Sequence, residues 1–142
     1  RAVNLLLIKY ALLVSLIIFA LTANAEVMEY VAPETIEEKI TRYAQIYGVN
    51  PKTMRRVVSC ETKGTFRPDI QSGHRYSFSD PKRGIVKGQR ERSFGLAQIS
   101  LPHHPYVSYK QAIDPDFSLN FMAEKFSKKQ EYLWTCYRLL YG

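Results

Sequence analysis

The sequence predicts a mainly α-helical domain that carries a small irregular lobe. Residues 35–48 and residues 50–61 each have apolar side chains at helical spacing, and each begins with residues that cap helices. A third stretch with the same period follows the Asp-Pro dipeptide at residues 114–115. Residues 62–92 lack that period, so the fold class is mainly α, with an α+β arrangement as the open alternative.

The first helix is predicted between Thr35 and Gly48. Thr35 and Glu38 form the pattern of a capping box, and Gly48 is typical of the position just after a helix. This helix has one apolar face, which we expect to pack on the rest of the domain. The residues on that face are Ile36, Ile40, Tyr43, Ala44 and Tyr47.

The second helix is predicted to begin after Asn50, with Pro51 at its first position. The residues on its inner face, at i, i+3, i+4 and i+7, are Met54, Val57, Val58 and Glu61. An unpaired charge is costly among apolar side chains, and burial raises the pKa of a carboxyl group. The position of Glu61 therefore predicts an acid that keeps its proton near neutral pH and can donate it in a reaction.

Residues 62–92 are rich in Gly, Pro, Ser, Asp and basic residues. About thirty residues without a helical period is long for a simple connection. The short alternations "HRYSFS" and "GIVKG" are typical of a small β-hairpin. This segment is therefore predicted to form the irregular or hairpin-containing lobe.

Helical segments are predicted again after the lobe. They lie at "SFGLAQIS" (residues 93–100), at residues 107–113, and at "DPDFSLNFMAEKFSKK" (residues 114–129). The final "EYLWTCYRLLYG" is predicted to form a closing helix that packs on the rest of the domain.

The first 25 residues have the layout of a secretory signal peptide. Arg1 and Lys9 accompany an apolar run that ends in Ala23-Asn24-Ala25, a small-x-small cleavage pattern. The domain is then residues 26–142, in the periplasm or outside the cell, without stable membrane insertion after cleavage. An uncleaved anchor is the alternative, because residues 5–23 are nearly long enough to span a bilayer.

Two cysteines, Cys60 and Cys136, are present. Exported chains are where paired cysteines are most often oxidised, so a disulfide between them is predicted. Closing a loop of about 75 residues would stabilise the fold by about 4 kcal/mol. Two free, buried thiols are the alternative.

The net charge of +7 favours an anionic partner, such as a cell-wall polymer. No nucleic-acid-binding motif accompanies the Lys and Arg residues, so nucleic acid is not a predicted partner. His103 and His104 stand between two prolines in a loop pattern, and neither they nor His74 have the spacing of zinc ligands. The sequence predicts no metal and no cofactor.

Three segments together resemble the soluble type of lytic transglycosylase domain, in the lysozyme-like superfamily. They are "ITRYAQIYGVNPKTMRRVVSCETKGTF", "SFGLAQIS" and "AIDPDFSLNFMAEKF". In that family an apolar helix runs into Glu-Ser, then Ser-x-Gly-Leu-x-Gln-Ile follows, and then Asp-Pro with an Asn-bearing helix. The resemblance spans residues 36–136 and implies a lysozyme-like fold, with a helical core and a small lobe.

The resemblance makes Glu61 the catalytic acid. It assigns Ser93, Gly95 and Gln98 to the second motif, which binds the sugar or orients the acid. In this assignment the Ser93 hydroxyl is expected to hydrogen-bond the Glu61 carboxyl. Gly95 has a turn as its alternative role, and Gln98 a satisfied buried amide.

The chain departs from the family pattern at two positions. Thr62 stands where Ser usually follows the Glu, and Ser118 stands where an Asn usually follows Asp-Pro, which leaves Asn120 as the candidate for that sugar contact. Most aromatic side chains are expected in the core. The candidates for stacking on sugar rings are Tyr76, Phe78, Tyr106 and Tyr137.

The resemblance implies a monomer that acts on peptidoglycan glycan strands. It would cleave the bond between N-acetylmuramic acid and N-acetylglucosamine with one Glu, as a lyase-type glycosidase, and leave a 1,6-anhydro ring. Glycosidases normally use two carboxylates. A loop acid such as Glu91 would instead favour a hydrolytic muramidase, and a non-catalytic wall-binding or assembly protein is the third possibility.

Overall fold

The structure is a computed structural model, and it describes Asn4 and residues 30–142. The predicted signal peptide therefore lies almost wholly outside the described residues. The chain from Glu34 to Gly142 forms one compact unit. Within the described part, no helix combines the length and the apolar character needed to cross a bilayer.

Two helices begin the unit, and their predicted caps are confirmed. Helix α1 spans Ile36–Ile46, and Thr35 and Glu38 form both hydrogen bonds of the capping box. Helix α2 spans Pro51–Glu61, and the Asn50 side chain accepts hydrogen bonds from the amides of Lys52 and Thr53. Both bury the predicted inner faces, which include Ile40, Ala44, Met54, Val57 and Val58.

The loop lobe, residues 63–92, follows α2. Its described structure is a short 3₁₀ turn at Pro81–Arg83 and three isolated antiparallel bridges, Gln71 with Phe94, Arg75 with Arg90 and Asp80 with Ile85. The lobe is thus irregular, with isolated bridges in place of the strands of a regular hairpin.

Residues 93–100 are not a helix, and that prediction is wrong. They form two short antiparallel strands, β1 at Ser93–Phe94 and β2 at Ile99–Ser100, joined by a turn. Gly95 and Gln98 have φ angles of +80° and +47° in that turn. Left-handed backbone of this kind excludes a right-handed helix.

Three helices complete the unit. Helix α3 spans Tyr109–Ile113, α4 spans Pro115–Ser127 and α5 spans Thr135–Tyr141, with a 3₁₀ turn at Glu131–Leu133 before α5. Helix α1 packs on α2 and α4, and α5 packs on α2. The described chain is therefore mainly α, as the sequence predicts, and its core also takes in Leu96, Ala97 and Ile99 from the β1–β2 turn.

A cluster of charges joins the two long core helices. Asp116, in the first turn of α4, accepts hydrogen bonds from Lys39 at 2.7 Å, from Arg42 at 2.8 Å and from Tyr43 at 3.1 Å, all three on α1. Glu34 also pairs with Lys39 and Arg42. This network fixes how α1 lies against α4.

Candidate active site

Glu61 is the last residue of α2, and the turn that follows it is held firmly. Thr62 is fully buried, and its hydroxyl donates to the carbonyl of Val58 at 2.8 Å and accepts from the amide of Phe66 at 3.1 Å. The hydroxyl at position 62 thus fixes the end of the helix, which fixes the direction in which Glu61 leaves it.

The Glu61 carboxyl group is half-buried and has a raised pKa. Burial is the largest cause, and the negative charge of Glu91 raises the pKa further. The backbone amide of Cys136 donates to Glu61 Oε1 at 3.2 Å, and this bond and the charges of His74 and Arg138 act in the opposite direction. The proton is therefore favoured by desolvation, while an amide and two basic groups stabilise the carboxylate that remains after it leaves.

The predicted disulfide is confirmed. Cys60 and Cys136 are bonded, with their Cα atoms 5.9 Å apart and a separation of 76 positions in sequence. The bond ties the residue before Glu61 to the residue whose amide contacts Glu61. A disulfide also fits an exported protein.

The loop lobe brings a second carboxylate to the site. The Ser72 hydroxyl donates to Glu91 Oε2 at 3.1 Å, and the Glu91 amide donates to the carbonyl of His74 at 2.9 Å. Ser72 is itself buried. Glu91 is thus held in the lobe, close enough to Glu61 for its charge to raise the pKa of that group.

A lysine connects this part of the lobe to the end of α2. Lys63 lies two residues after Glu61, and its side chain reaches Gly73. A Cβ added to Gly73 would lie 2.9 Å from the Lys63 Nζ. The turn after Glu61 and the segment that holds Glu91 therefore lie side by side.

Ser93 lies in β1 and is buried, but the expected bond to Glu61 is not formed. Within the described residues, the Glu61 carboxyl accepts a hydrogen bond from the Cys136 amide and none from Ser93. The Ser93 carbonyl accepts from the amide of Ser72, which attaches the lobe to β1. The donor that does bind Glu61 is the amide of Cys136, 75 positions away, so the Ser93 motif could not predict it.

Gly95 has a packing role. It is buried, and a Cβ built on it would lie 1.8 Å from the carbonyl oxygen of Ala112 and 3.1 Å from the Ser118 hydroxyl. Only glycine allows α3 to approach the β1–β2 turn so closely. The positive φ of Gly95 also fits the turn that is its alternative role.

The amides of Gln98 and Asn120 are engaged within the protein. Gln98 Nε2 donates to the carbonyls of Gly95 at 2.9 Å and Ile70 at 3.2 Å. Asn120 Oδ1 accepts from the Tyr47 hydroxyl at 2.9 Å. Both side chains hold neighbouring segments together, which is the structural alternative for Gln98.

Two predicted stacking residues are occupied elsewhere. Tyr76 is only 7% exposed, and its hydroxyl accepts from the amide of Arg92 at 3.0 Å. Tyr137 packs edge-on against Phe126 and beside Tyr141. Tyr76 thus packs within the lobe, whereas Phe78 and Tyr106 are exposed at 49% and 68%.

A cavity of about 350 Å³ lies at the other end of α2 from Glu61. Asn50, Thr53 and Tyr137 are among the residues that line it. Helix α2 has 11 residues, which at the usual rise places its two ends about 16 Å apart. Tyr137 lines this cavity, while its neighbour in sequence, Cys136, contacts Glu61.

Residues 30–142 contain no group of three or more His, Cys, Asp or Glu side chains arranged to hold a metal ion. Comparisons with models of protein families, with curated proteins and with solved structures found no match to this chain.

Proposed function

We propose that this chain is an exported, lysozyme-like domain that cleaves the β-1,4 bond between N-acetylmuramic acid and N-acetylglucosamine in peptidoglycan. The observation that supports this most is the half-buried Glu61, whose pKa is raised chiefly by burial. Cleavage of a glycosidic bond is strongly assisted by a proton on its leaving oxygen, and a carboxyl group with a raised pKa keeps a proton to donate at a higher pH than an ordinary one.

The proposed reaction is lytic transglycosylation. Glu61 gives its proton to the bridging oxygen as the bond from C1 of N-acetylmuramic acid to that oxygen breaks. The C6 hydroxyl of the same sugar then attacks C1 and gives its proton to the Glu61 carboxylate, which closes a 1,6-anhydro ring. No water is consumed. The Cys136 amide, His74 and Arg138 all favour the carboxylate that this second step needs.

The charge of the loop lobe supports an anionic substrate. Lys82 and Lys87 are exposed on the surface of the lobe. Arg83 is also exposed, and it forms an ion pair with Asp80. Cell-wall glycan strands bear carboxylates on their peptides, so a basic lobe beside Glu61 would attract them. The proposed partner is therefore a peptidoglycan strand, bound by a monomer.

A second candidate, the hydrolytic muramidase, is favoured by one observation. Glu91 is held by Ser72 near enough to Glu61 to influence its pKa. Two carboxylates beside one bond can divide the work of acid and water activator. Hydrolysis would use Glu91 for the second task, and transglycosylation would not.

Digestion of purified sacculi in ¹⁸O-labelled water tests both proposals. We expect 1,6-anhydro ends without label from the wild type, and a loss of at least about a hundredfold in cleavage for Glu61→Gln. Glu124→Gln is the matched control, because Glu124 pairs only with Lys128 on the surface of α4, and it should cleave normally.

The products decide between the candidates. Labelled reducing ends that disappear in Glu91→Gln would establish the muramidase. Anhydro ends that persist in Glu91→Gln support transglycosylation by Glu61 alone. Full cleavage by a folded Glu61→Gln protein would refute Glu61 as the acid. A wild-type protein that binds sacculi without cleaving them would leave only a non-catalytic wall-binding role.

A further inference from the structure

One residue joins the C-terminal segment, residues 131–142, to the end of α2 in two ways. The sulfur of Cys136 is bonded to Cys60, and the amide of Cys136 donates to the neighbouring residue, Glu61, at 3.2 Å. The covalent bond and the hydrogen bond thus reach consecutive positions of the helix that bears the proposed acid.

The C-terminal segment also packs on the core through aromatic side chains. Trp134 is buried, and its indole nitrogen donates to the carbonyl of Ala97 at 2.7 Å. Tyr137 packs edge-on against Phe126. Helix α5 has only seven residues, too few to be stable alone. Large apolar side chains before it and within it are more than 40% exposed, and they are Tyr132, Leu133, Leu139 and Tyr141. Packing at Trp134 and Tyr137 therefore holds the segment on the core, and the disulfide fixes where Cys136 lies.

We propose that the Cys60–Cys136 disulfide is a positioning element of the active site, which holds the Cys136 amide on the Glu61 carboxyl and keeps that carboxyl oriented and covered. This inference rests on the proposed role of Glu61 as the acid. It extends that proposal by giving the bond a task in the reaction besides stabilising the fold.

The disulfide is expected to influence the pKa of Glu61 through the groups that surround its carboxyl. His74 and Glu91 face it from the loop lobe, and Arg138 faces it from α5. Release of the segment would remove the Cys136 amide and the Arg138 charge, both of which lower the pKa of Glu61. It would also admit water, and burial is the larger influence on that pKa. The net result is a pKa that falls toward the ordinary carboxyl value, with a carboxyl that is no longer aimed.

Nuclear magnetic resonance of the native, oxidised protein tests the contact without any assay of activity. The ¹H–¹⁵N resonance of the Cys136 amide should move with the titration of Glu61, because the carboxylate accepts its proton. In Glu61→Gln this movement should vanish. A Cys136 amide that ignores the titration of Glu61 in the wild type would overturn the proposal.

The Cys60→Ser/Cys136→Ser protein tests the consequence. We expect cleavage of sacculi to fall by about tenfold or more, with circular dichroism and binding to glycan retained and the pKa of Glu61 lowered. The matched control is Leu119→Ala, which is destabilised in the core but keeps the disulfide, and it should cleave at the wild-type rate below its unfolding temperature.

Each outcome decides one proposal. Unchanged cleavage and an unchanged Glu61 titration in the folded double-serine protein would show that the disulfide only stabilises the fold. If that protein does not fold, the amide titration of the native protein still gives the answer. Cleavage that survives Glu61→Gln refutes the proposed function instead, whatever the Cys136 amide does.

Discussion

The helical core and the loop lobe contribute to the surroundings of Glu61 in different ways. Helix α2 buries its own apolar side chains in the core, and Met54, Val57 and Val58 are fully buried there. In the loop lobe only Ser72, Tyr76 and Ile85 are buried. The lobe is held mainly by backbone hydrogen bonds between residues 72–76 and residues 88–93.

The core therefore holds Glu61, while the less buried lobe carries charged groups that influence the pKa of Glu61. Burial at the end of α2 is the largest cause of the raised pKa of Glu61, whereas the lobe supplies His74 and Glu91, whose charges act on that pKa in opposite directions. A lobe with few buried side chains can change in sequence at little cost in stability. The chain can therefore adjust the acid through the lobe while the core keeps it in place.

The largest expected loss of stability lies where the lobe returns to the core. In Gly95→Ala the new Cβ would lie 1.8 Å from the carbonyl oxygen of Ala112, and the φ angle of +80° adds strain. We expect the free energy of unfolding to fall by about 3 kcal/mol or more, measured by urea denaturation.

Gly88→Ala is the matched control within the lobe. Its φ angle is +84°, but nothing lies within 4 Å of an added Cβ. Only the backbone strain remains, so the loss should be about 1 kcal/mol. Equal losses in the two variants would contradict the close contact between the β1–β2 turn and α3.

A medium effect is expected at Ser118, which is fully buried on α4. Its hydroxyl accepts a hydrogen bond from the amide of Ala97 at 2.9 Å. Ser118→Ala leaves that amide without its partner, so the free energy of unfolding should fall by about 1 to 3 kcal/mol. Ser77→Ala, at an exposed position of the lobe, should stay within about 0.5 kcal/mol of the wild type. A Ser118→Ala protein as stable as the Ser77→Ala protein would show that the bond contributes nothing.

Ser118 also shows why the sequence could predict some features and not others. The caps of α1 and α2 depend on residues within three positions of one another, so Thr35, Glu38 and Asn50 predicted them correctly. The role of Ser118 depends on Ala97, 21 residues away. The resemblance marked Ser118 only as a departure from the Asn of the family pattern. A local sequence pattern can predict hydrogen bonds between residues that are close in sequence, but it cannot predict bonds to partners far away in sequence.

The site divides in the same way. The inner-face spacing of α2 predicted the burial of Glu61, and the cysteine count predicted the disulfide. The Cys136 amide, Ser72 and Arg138 were missed, because each comes to Glu61 or Glu91 through tertiary packing. One local signal was misread in the β1–β2 segment: the glycine at position 95 marks a turn with positive φ, not a helix.

The smallest expected change in stability comes from removing an ion pair, and it should differ between the α1–α4 contact and the loop lobe. Hydrogen bonds from Lys39, and then from Arg42 and Tyr43, lower the pKa of Asp116 against the opposing effect of burial. A carboxyl group with a lowered pKa in the folded state stabilises the protein above its ordinary pKa, and that stabilisation is lost as the pH falls through the folded value. Asp116→Asn should therefore reduce the free energy of unfolding by up to about 1 kcal/mol at neutral pH, and the difference should disappear in acid.

Asp69→Asn is the control for that comparison, since Asp69 pairs with Arg67 only two residues away on the exposed lobe. A pair so close in sequence, with both groups in solvent, constrains the folded chain little more than the unfolded one. Urea denaturation of the three proteins across the acidic range should show a pH-dependent gap for Asp116→Asn alone. A gap of constant size at every pH would mean that Asp116 stabilises the α1–α4 contact by packing, and that its charge has no part in holding the core together.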